Sequence, residues 1–166
     1  LPIVDTHQHL WDLSRLDLGW LSSAKTLKRN FVTADYLRAT QGLNVTRAIY
    51  MEVGASPRQQ TAEARHVIEL CQSAEHPTVA AVIGGRPGSE SFFKYIDQFK
   101  DSPYVKGVRQ ILSAGSKEPP VYLDRRFVRG LQYLGRIGMS FDLCMPPREL
   151  AHGAKLVQQC PDTRFI

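Results

Sequence analysis

Six β-type segments separated by single helix-type segments are the feature that most restricts the fold of this chain. Short runs rich in β-branched and aromatic residues recur along its 166 residues, and segments with apolar residues at helical spacing lie between them. Parallel strands joined by single helices form a sheet with right-handed crossovers. The sequence therefore predicts an α/β fold built on a parallel sheet.

The predicted elements follow one another in regular order. The predicted strands cover residues 3–9, 46–53, 79–84, 104–110 and 139–145, and a sixth strand begins at 163–166. The predicted helices begin at the capping residues Thr33, Ser56, Ser89 and Asp124 and at the pair Pro146-Pro147. The continuous apolar run at 79–84 is typical of a strand buried on both faces.

Two architectures fit this order, a doubly wound open sheet and a (βα)8 barrel. A doubly wound sheet normally has a glycine-rich phosphate loop after its first strand, but here residues 9–12 read His-Leu-Trp-Asp. A barrel places functional side chains at the carboxyl ends of its strands and normally needs about 200 residues or more. We therefore predict that residues 1–166 are one domain, about the first five and a half βα units of a TIM-type (βα)8 barrel.

Two histidines stand at the end of the first predicted strand. His7 and His9 are two residues apart, so on a regular strand their side chains point to the same face, and Asp5 is expected on that face as well. An H-x-H pair alone is a weak motif, but its place at a strand end favours a functional role. His7 and His9 are therefore the candidate catalytic and metal-binding residues.

Three further residues are candidates for contact with substrate. Arg109 ends an apolar strand, where a charge without a partner is costly, and its guanidinium suits an anionic substrate; a structural salt bridge with Glu52 or Asp142 is the alternative. For Glu52, three roles stay open: metal ligand, base or partner of Arg109. Trp11 either covers the site or packs the long first loop.

Composition excludes several classes of protein. The net charge is +5, but the basic residues are scattered rather than grouped in a stripe, so no nucleic-acid partner is predicted. No apolar run is long enough to span a membrane and no signal peptide is apparent, so no membrane partner is predicted. The three cysteines lack a metal-binding spacing, and we expect free thiols in a cytoplasmic protein.

Taken together, three motifs resemble a known family. Residues 5–12 (DTHQHLWD), 105–110 (VKGVRQ) and 141–147 (FDLCMPP) are similar to the amidohydrolase-2 branch of the amidohydrolase superfamily. The resemblance is strongest to its lactonase-like branch, which includes fuconolactonase and pyrone dicarboxylate lactonase. It implies a barrel enzyme that adds water to a lactone or related carbonyl compound, with a small anionic or sugar-derived substrate.

The resemblance also implies roles for individual residues. The family's histidine pair corresponds to His7 and His9, and Arg109 matches an arginine that contacts substrate. Some members of the family use one divalent metal, often zinc, whereas similar lactonases use none, so the metal stays open. The family's next histidine and its catalytic aspartate belong to the sixth and eighth strands. Both are expected beyond Ile166, so residues 1–166 alone are expected to be inactive.

Alternatives of two kinds remain at this point. Within the same superfamily, the chemistry could be decarboxylation of an aromatic acid. From another class, the chain could be a truncated, non-catalytic binding or remnant domain. An incomplete barrel exposes strand edges, so residues 1–166 alone are also expected to aggregate or form a homo-oligomer.

Overall fold

The computed structural model of the protein describes residues 1–112 and 120–166. These residues form two compact units, Leu1–Gly84 and Gly85–Ile166. Each unit contains three strands that pair in parallel, with helices in the connections between them. The predicted α/β class is therefore confirmed.

The order of the elements alternates as predicted. The strands are β1 (Ile3–Gln8), β2 (Val45–Met51), β3 (Thr78–Gly84), β4 (Val105–Ile111), β5 (Ser140–Cys144) and β6 (Arg164–Phe165). The helices are α1 (Thr33–Ala39), α2 (Gln60–Gln72), α3 (Phe92–Ile96), α4 (Arg125–Arg136) and α5 (Leu150–Gln158). Short 3-10 turns occupy Gly19–Ser22, Lys25–Leu27, Val121–Leu123 and Pro147–Glu149.

In the first unit, β2 is the central strand and pairs with β1 and β3. Its residues Ala48 and Tyr50 are buried, as are Ala64 and Val67 on the inner face of α2. The outer strand β1 is more open, and Val4 is 53% exposed. A helix with apolar residues at i and i+3 covers a sheet in this way because those positions share one face.

The second unit is built around β5, which pairs with β4 and β6. Its core is aromatic and aliphatic, with Phe127, Leu131 and Phe141 almost fully buried. Helix α4 begins where the sequence predicted, because the Asp124 carboxylate accepts a hydrogen bond from the backbone N–H of Arg126 at 2.8 Å. This is the usual N-cap arrangement, which satisfies an otherwise unpaired donor.

Two predicted helix starts are wrong by three or four residues, and at the predicted start Pro146-Pro147 a 3-10 turn precedes α5, which begins at Leu150. Helix α2 begins at Gln60 and not after Ser56, whose hydroxyl contacts the Gln59 side chain at 3.4 Å instead of capping the helix. Helix α3 begins at Phe92 and not after Ser89. In both places a turn precedes the helix, and capping residues are as common in turns as at helix starts.

Across the described residues, no helix combines the length and apolar character that crossing a membrane would require.

Candidate active site

The rings of His7, near the end of β1, and His9, directly after it, lie against each other. Their centroids are 4.9 Å apart and the rings meet edge to face at 77°. Both residues are exposed, whereas Gln8 between them is 2% exposed, and its side-chain oxygen accepts a hydrogen bond from the Thr78 hydroxyl at 2.7 Å. Because Gln8 turns into the core, its two neighbours turn to the opposite face. The two rings are therefore neighbours on one face, and the roles of His7 and His9 in catalysis and metal binding stay predictions.

The ring of His9 is fixed by β2. Its Nδ1 lies 2.9 Å from the carbonyl oxygen of Met51, and a carbonyl oxygen only accepts hydrogen bonds. Nδ1 therefore carries the proton, and in the neutral ring the lone pair is on Nε2. Histidines that bind metals or move protons are commonly oriented by a backbone carbonyl in this way.

The described contacts of Asp5 are to groups other than the two imidazoles, and its place on their face stays a prediction. The pairing of β1 with β2 shifts register between Asp5 and Gln8, so that three steps along β1 match two along β2. A shift of one residue reverses the face to which a side chain points. The Asp5 carboxylate instead accepts hydrogen bonds from the His7 backbone N–H at 3.0 Å and from the Tyr36 hydroxyl at 2.8 Å.

Tyr36 is a residue that the sequence analysis missed. Burial and the hydrogen bond to Asp5 raise the pKa of Tyr36 to about 12, so its hydroxyl stays protonated and donates to the carboxylate. It joins α1 to the shifted stretch of β1 that precedes the histidine pair. A tyrosine in an amphipathic helix gives no sign of such a role in the sequence.

A cleft of about 350 Å³ opens beside His9 in the first unit. It is lined by apolar side chains and by three charged ones, Arg29, Asp35 and Arg38. The Arg29 guanidinium stacks over the Phe31 ring at 3.7 Å, which holds this cation at the cleft. The cleft therefore places two arginines and one aspartate near His9.

Glu52 and Trp11 are both buried. Glu52 is 6% exposed, and its carboxylate accepts a hydrogen bond from the Gly54 backbone N–H at 2.7 Å. Trp11 is 8% exposed, donates to the Arg29 carbonyl oxygen at 2.8 Å and packs on the Trp20 ring. Both side chains hold the loops around the histidines, and their contact with substrate stays a prediction.

Arg109 belongs to the second unit, near the end of β4. Its register partner on β5 is Asp142, so the two side chains share a face of neighbouring strands. Its guanidinium also donates to the Cys144 sulfur at 3.3 Å. These contacts fit the alternative that Arg109 pairs with Asp142, and its role toward substrate stays a prediction.

The fit of a metal to these residues is incomplete. Within residues 1–112 and 120–166, no group of three or more His, Cys, Asp or Glu side chains is placed to hold a metal ion. His7 and His9 offer two nitrogen ligands, whereas a catalytic zinc normally has three protein ligands. A bound metal would need further ligands from outside the described residues.

The alternation of parallel strands and helices defines a parallel α/β protein, with two neighbouring histidines where its first strand ends. The sequence profile of the family described as Amidohydrolase (Amidohydro_2) matches residues 4–166. The chain therefore belongs to this family.

The chain is similar to known proteins in sequence and in structure. The chain is 24% identical to the uncharacterized protein y4mH of Sinorhizobium fredii (strain NBRC 101917 / NGR234), over 100% of the chain and 61% of that protein. Amidohydrolase 2 from Bifidobacterium longum subsp. infantis is 25% identical, with a TM-score of 0.73 over 99% of the chain and 60% of that structure.

A third similar protein is an amidohydrolase from Burkholderia multivorans, whose crystal structure holds bound zinc. It is 19% identical, with a TM-score of 0.75 over 98% of the chain and 55% of that structure. These likenesses confirm the fold of a TIM-type amidohydrolase barrel. The chain spans 55–61% of the length of these three relatives.

Proposed function

We propose that the protein carrying this chain hydrolyses a lactone or a related carbonyl compound with an activated water. We further propose that its substrate is a small anionic or sugar-derived molecule. The observation that carries the proposal is the pair of adjacent, exposed imidazoles, of which His9 is held in one tautomer by Met51. The amidohydrolase family and the lactonase-like sequence motifs support the same chemistry.

The tautomer of His9 restricts what the ring can do. With the proton on Nδ1, the neutral ring presents a lone pair at Nε2, which can accept a proton from water or bind a metal. To donate a hydrogen bond to a substrate carbonyl, Nε2 would have to carry a second proton. The neutral His9 ring is therefore better suited to accept a proton or bind a metal at Nε2 than to polarise a carbonyl by donating a hydrogen bond.

His7 and His9 would together hold a divalent metal such as zinc. When bound, such a metal polarises a carbonyl and lowers the pKa of a bound water. The zinc in the similar Burkholderia multivorans structure supports this choice of metal. The general base that takes the proton from water is proposed to be an aspartate outside the described residues.

Arg109 is proposed to bind the negative charge or the hydroxyl groups of the substrate. A guanidinium makes two parallel hydrogen bonds to a carboxylate, which fixes the orientation of the bound molecule. The Cys144 sulfur and the Asp142 register position would keep the guanidinium near the end of β4.

Residues 1–166 by themselves are proposed to lack this activity. The described residues place two histidines together and offer no third metal ligand beside them. Strand β1 also exposes apolar side chains, with Ile3 41% and Val4 53% exposed, which would promote association of the isolated chain. All three cysteines are free thiols, which supports a reducing, cytoplasmic location.

The test is an assay of the naturally produced protein on sugar lactones, carboxylated lactones and hydroxybenzoates, with zinc and with a chelator. Ring-opened acid as product, lost in His9→Asn but kept in the helix control His66→Ala, would support the proposal. Release of carbon dioxide from a hydroxybenzoate would replace it with decarboxylation. No turnover of any substrate under both metal conditions would favour a binding or remnant domain.

A further inference from the structure

We propose that Glu63 is a positioning residue whose buried carboxylate holds the carboxyl end of β2 and thereby orients the His9 ring. Glu63 lies on α2 and is 1% exposed, although carboxylates are seldom fully buried unless they are paired. Its consequence for turnover rests on the proposed function. Its consequence for the His9 ring does not.

The contacts of Glu63 are made to β2 and the residues directly after it. Its Oε1 accepts a hydrogen bond from the Tyr50 hydroxyl at 2.9 Å and another from the Val53 backbone N–H at 2.8 Å. The second bond joins a helix side chain to the main chain just where the strand ends. Ordinary packing of α2 on the sheet would need only apolar side chains, such as the neighbouring Ala64 and Val67.

The segment that Glu63 holds makes backbone contacts to His9 of the candidate site and to Trp20, which packs on Trp11. The Met51 carbonyl oxygen accepts from His9 Nδ1 at 2.9 Å, and the Val53 carbonyl oxygen accepts from the Trp20 indole N–H at 2.8 Å. Because these acceptors are main-chain atoms, their positions depend on what fixes the backbone of residues 51–53. The Val53 N–H to Glu63 bond is one such restraint.

Among the described residues, the groups around Glu63 carry no positive charge. Tyr50 faces it from β2, Glu52 from the position directly after β2, Gln60 lies one turn earlier on α2, and Gly84 faces it from β3 without a side chain. Its second oxygen, Oε2, is buried with no hydrogen bond among the described residues. Burial is the main cause that raises the pKa of Glu63 to about 7, with Glu52 adding to it.

The contacts and the charge of Glu63 together predict that its hydrogen bonds to Tyr50 and Val53 change in strength with pH. The ionised carboxylate is the stronger acceptor for the Val53 N–H and the Tyr50 hydroxyl, because charged acceptors make shorter and stronger hydrogen bonds. The protonated carboxyl is a weaker acceptor, and glutamine resembles that form. The wild type should therefore behave like a Glu63→Gln variant at low pH and differ from it at high pH.

The experiment compares the wild type with Glu63→Gln and Tyr50→Phe in the naturally produced protein. Nitrogen NMR of the His9 ring reports the Nδ1 proton directly, and the Trp20 indole N–H resonance, assigned by its loss in Trp20→Phe, reports the bond to the Val53 carbonyl oxygen. We expect Glu63→Gln to weaken both signals at pH 8, and the variant and the wild type to converge near pH 5.5. Tyr50→Phe removes one of the two donors and should give a smaller change in the same direction.

Turnover supplies a second readout. On a lactone substrate at pH 8, Glu63→Gln should lower kcat about tenfold with little change in KM, because a small displacement of a reacting group costs rate rather than affinity. His9 and Trp20 signals unchanged in a folded Glu63→Gln protein would overturn the proposal. If Glu63→Gln does not fold, unchanged signals in Tyr50→Phe would overturn it. Altered signals with no turnover on any lactone would support positioning and contradict the proposed function alone.

Discussion

The His9 ring and the Met51 carbonyl oxygen are joined by a 2.9 Å hydrogen bond that links the first two strands. The bond selects the tautomer with its lone pair on Nε2 in a ring that lies against His7. It therefore ties the chemical state of a candidate catalytic residue to the position of the end of β2. Variants of His9 can separate these two properties.

Replacing His9 by asparagine should abolish activity without loosening the strand ends. The asparagine amide can still donate to the Met51 carbonyl oxygen, but it has no atom at the position of Nε2. We expect kcat to fall about a hundredfold or more, as when a group that transfers a proton or holds a metal is removed. Steady-state kinetics with thermal unfolding checks this, and His66→Ala is the matched control. Activity retained in folded His9→Asn would contradict a role for Nε2.

Arg109 offers a test of substrate charge. Arg109→Ala should raise KM for a carboxylated lactone about tenfold or more and change kcat less, because the lost contact is shared by ground and transition states. Arg109→Lys should not restore KM if the contact is bidentate. Cys144→Ser is the control, since it alters the contact at 3.3 Å and leaves the guanidinium in place. An unchanged KM in Arg109→Ala would assign this arginine to a structural pair with Asp142.

The bond between Tyr36 and Asp5 should contribute to stability rather than to chemistry. Tyr36→Phe removes the hydroxyl that donates to the Asp5 carboxylate at 2.8 Å, and we expect it to lower the free energy of unfolding by about 1–2 kcal/mol. A double-mutant cycle with Asp5→Asn, followed by denaturant unfolding, measures the coupling. Additive effects of the two substitutions would show that the bond contributes nothing.

A pair of glycine substitutions tests the close approach of β4 and β5. A Cβ at Gly107 would lie 2.9 Å from the Ser140 carbonyl oxygen, whereas a Cβ at Gly19 would meet nothing within 4 Å. We expect Gly107→Ala to destabilise the protein by about 2–3 kcal/mol. Gly19→Ala should change the free energy of unfolding by less than about 0.5 kcal/mol. Equal denaturant midpoints for the two variants would contradict the described packing.

The sequence was sufficient for the order of elements and for the histidine pair, but not for the residues that support the pair. The common face of the His7 and His9 side chains was predictable, because residues two apart on a strand point to the same face. The contacts of Asp5 were not predictable, because a register shift depends on the partner strand and leaves no mark in the spacing. Glu63 was missed because a glutamate in an amphipathic helix usually faces solvent, and only the fold shows its burial.

The buried Glu63 carboxyl should also set how stability depends on pH. Its pKa is raised from 4.5 to about 7, so the folded protein binds this proton more tightly than the unfolded chain does. Its stabilising contribution is fully present below pH 4.5 and is lost as the pH rises through about 7, because the cost of burying the charge exceeds the gain from the stronger hydrogen bonds of the ionised form. The contribution amounts to about 3 kcal/mol at 1.36 kcal/mol per pKa unit.

Glu63→Gln removes this titration, so the free energy of unfolding of the variant should be flatter between pH 4.5 and 7 than that of the wild type. Denaturant unfolding at half-unit pH steps measures the difference. Glu69→Gln is the matched control, because Glu69 lies on the same helix with a side chain that is 67% exposed. Parallel pH profiles for the wild type and Glu63→Gln would show that this carboxyl titrates as an ordinary exposed one.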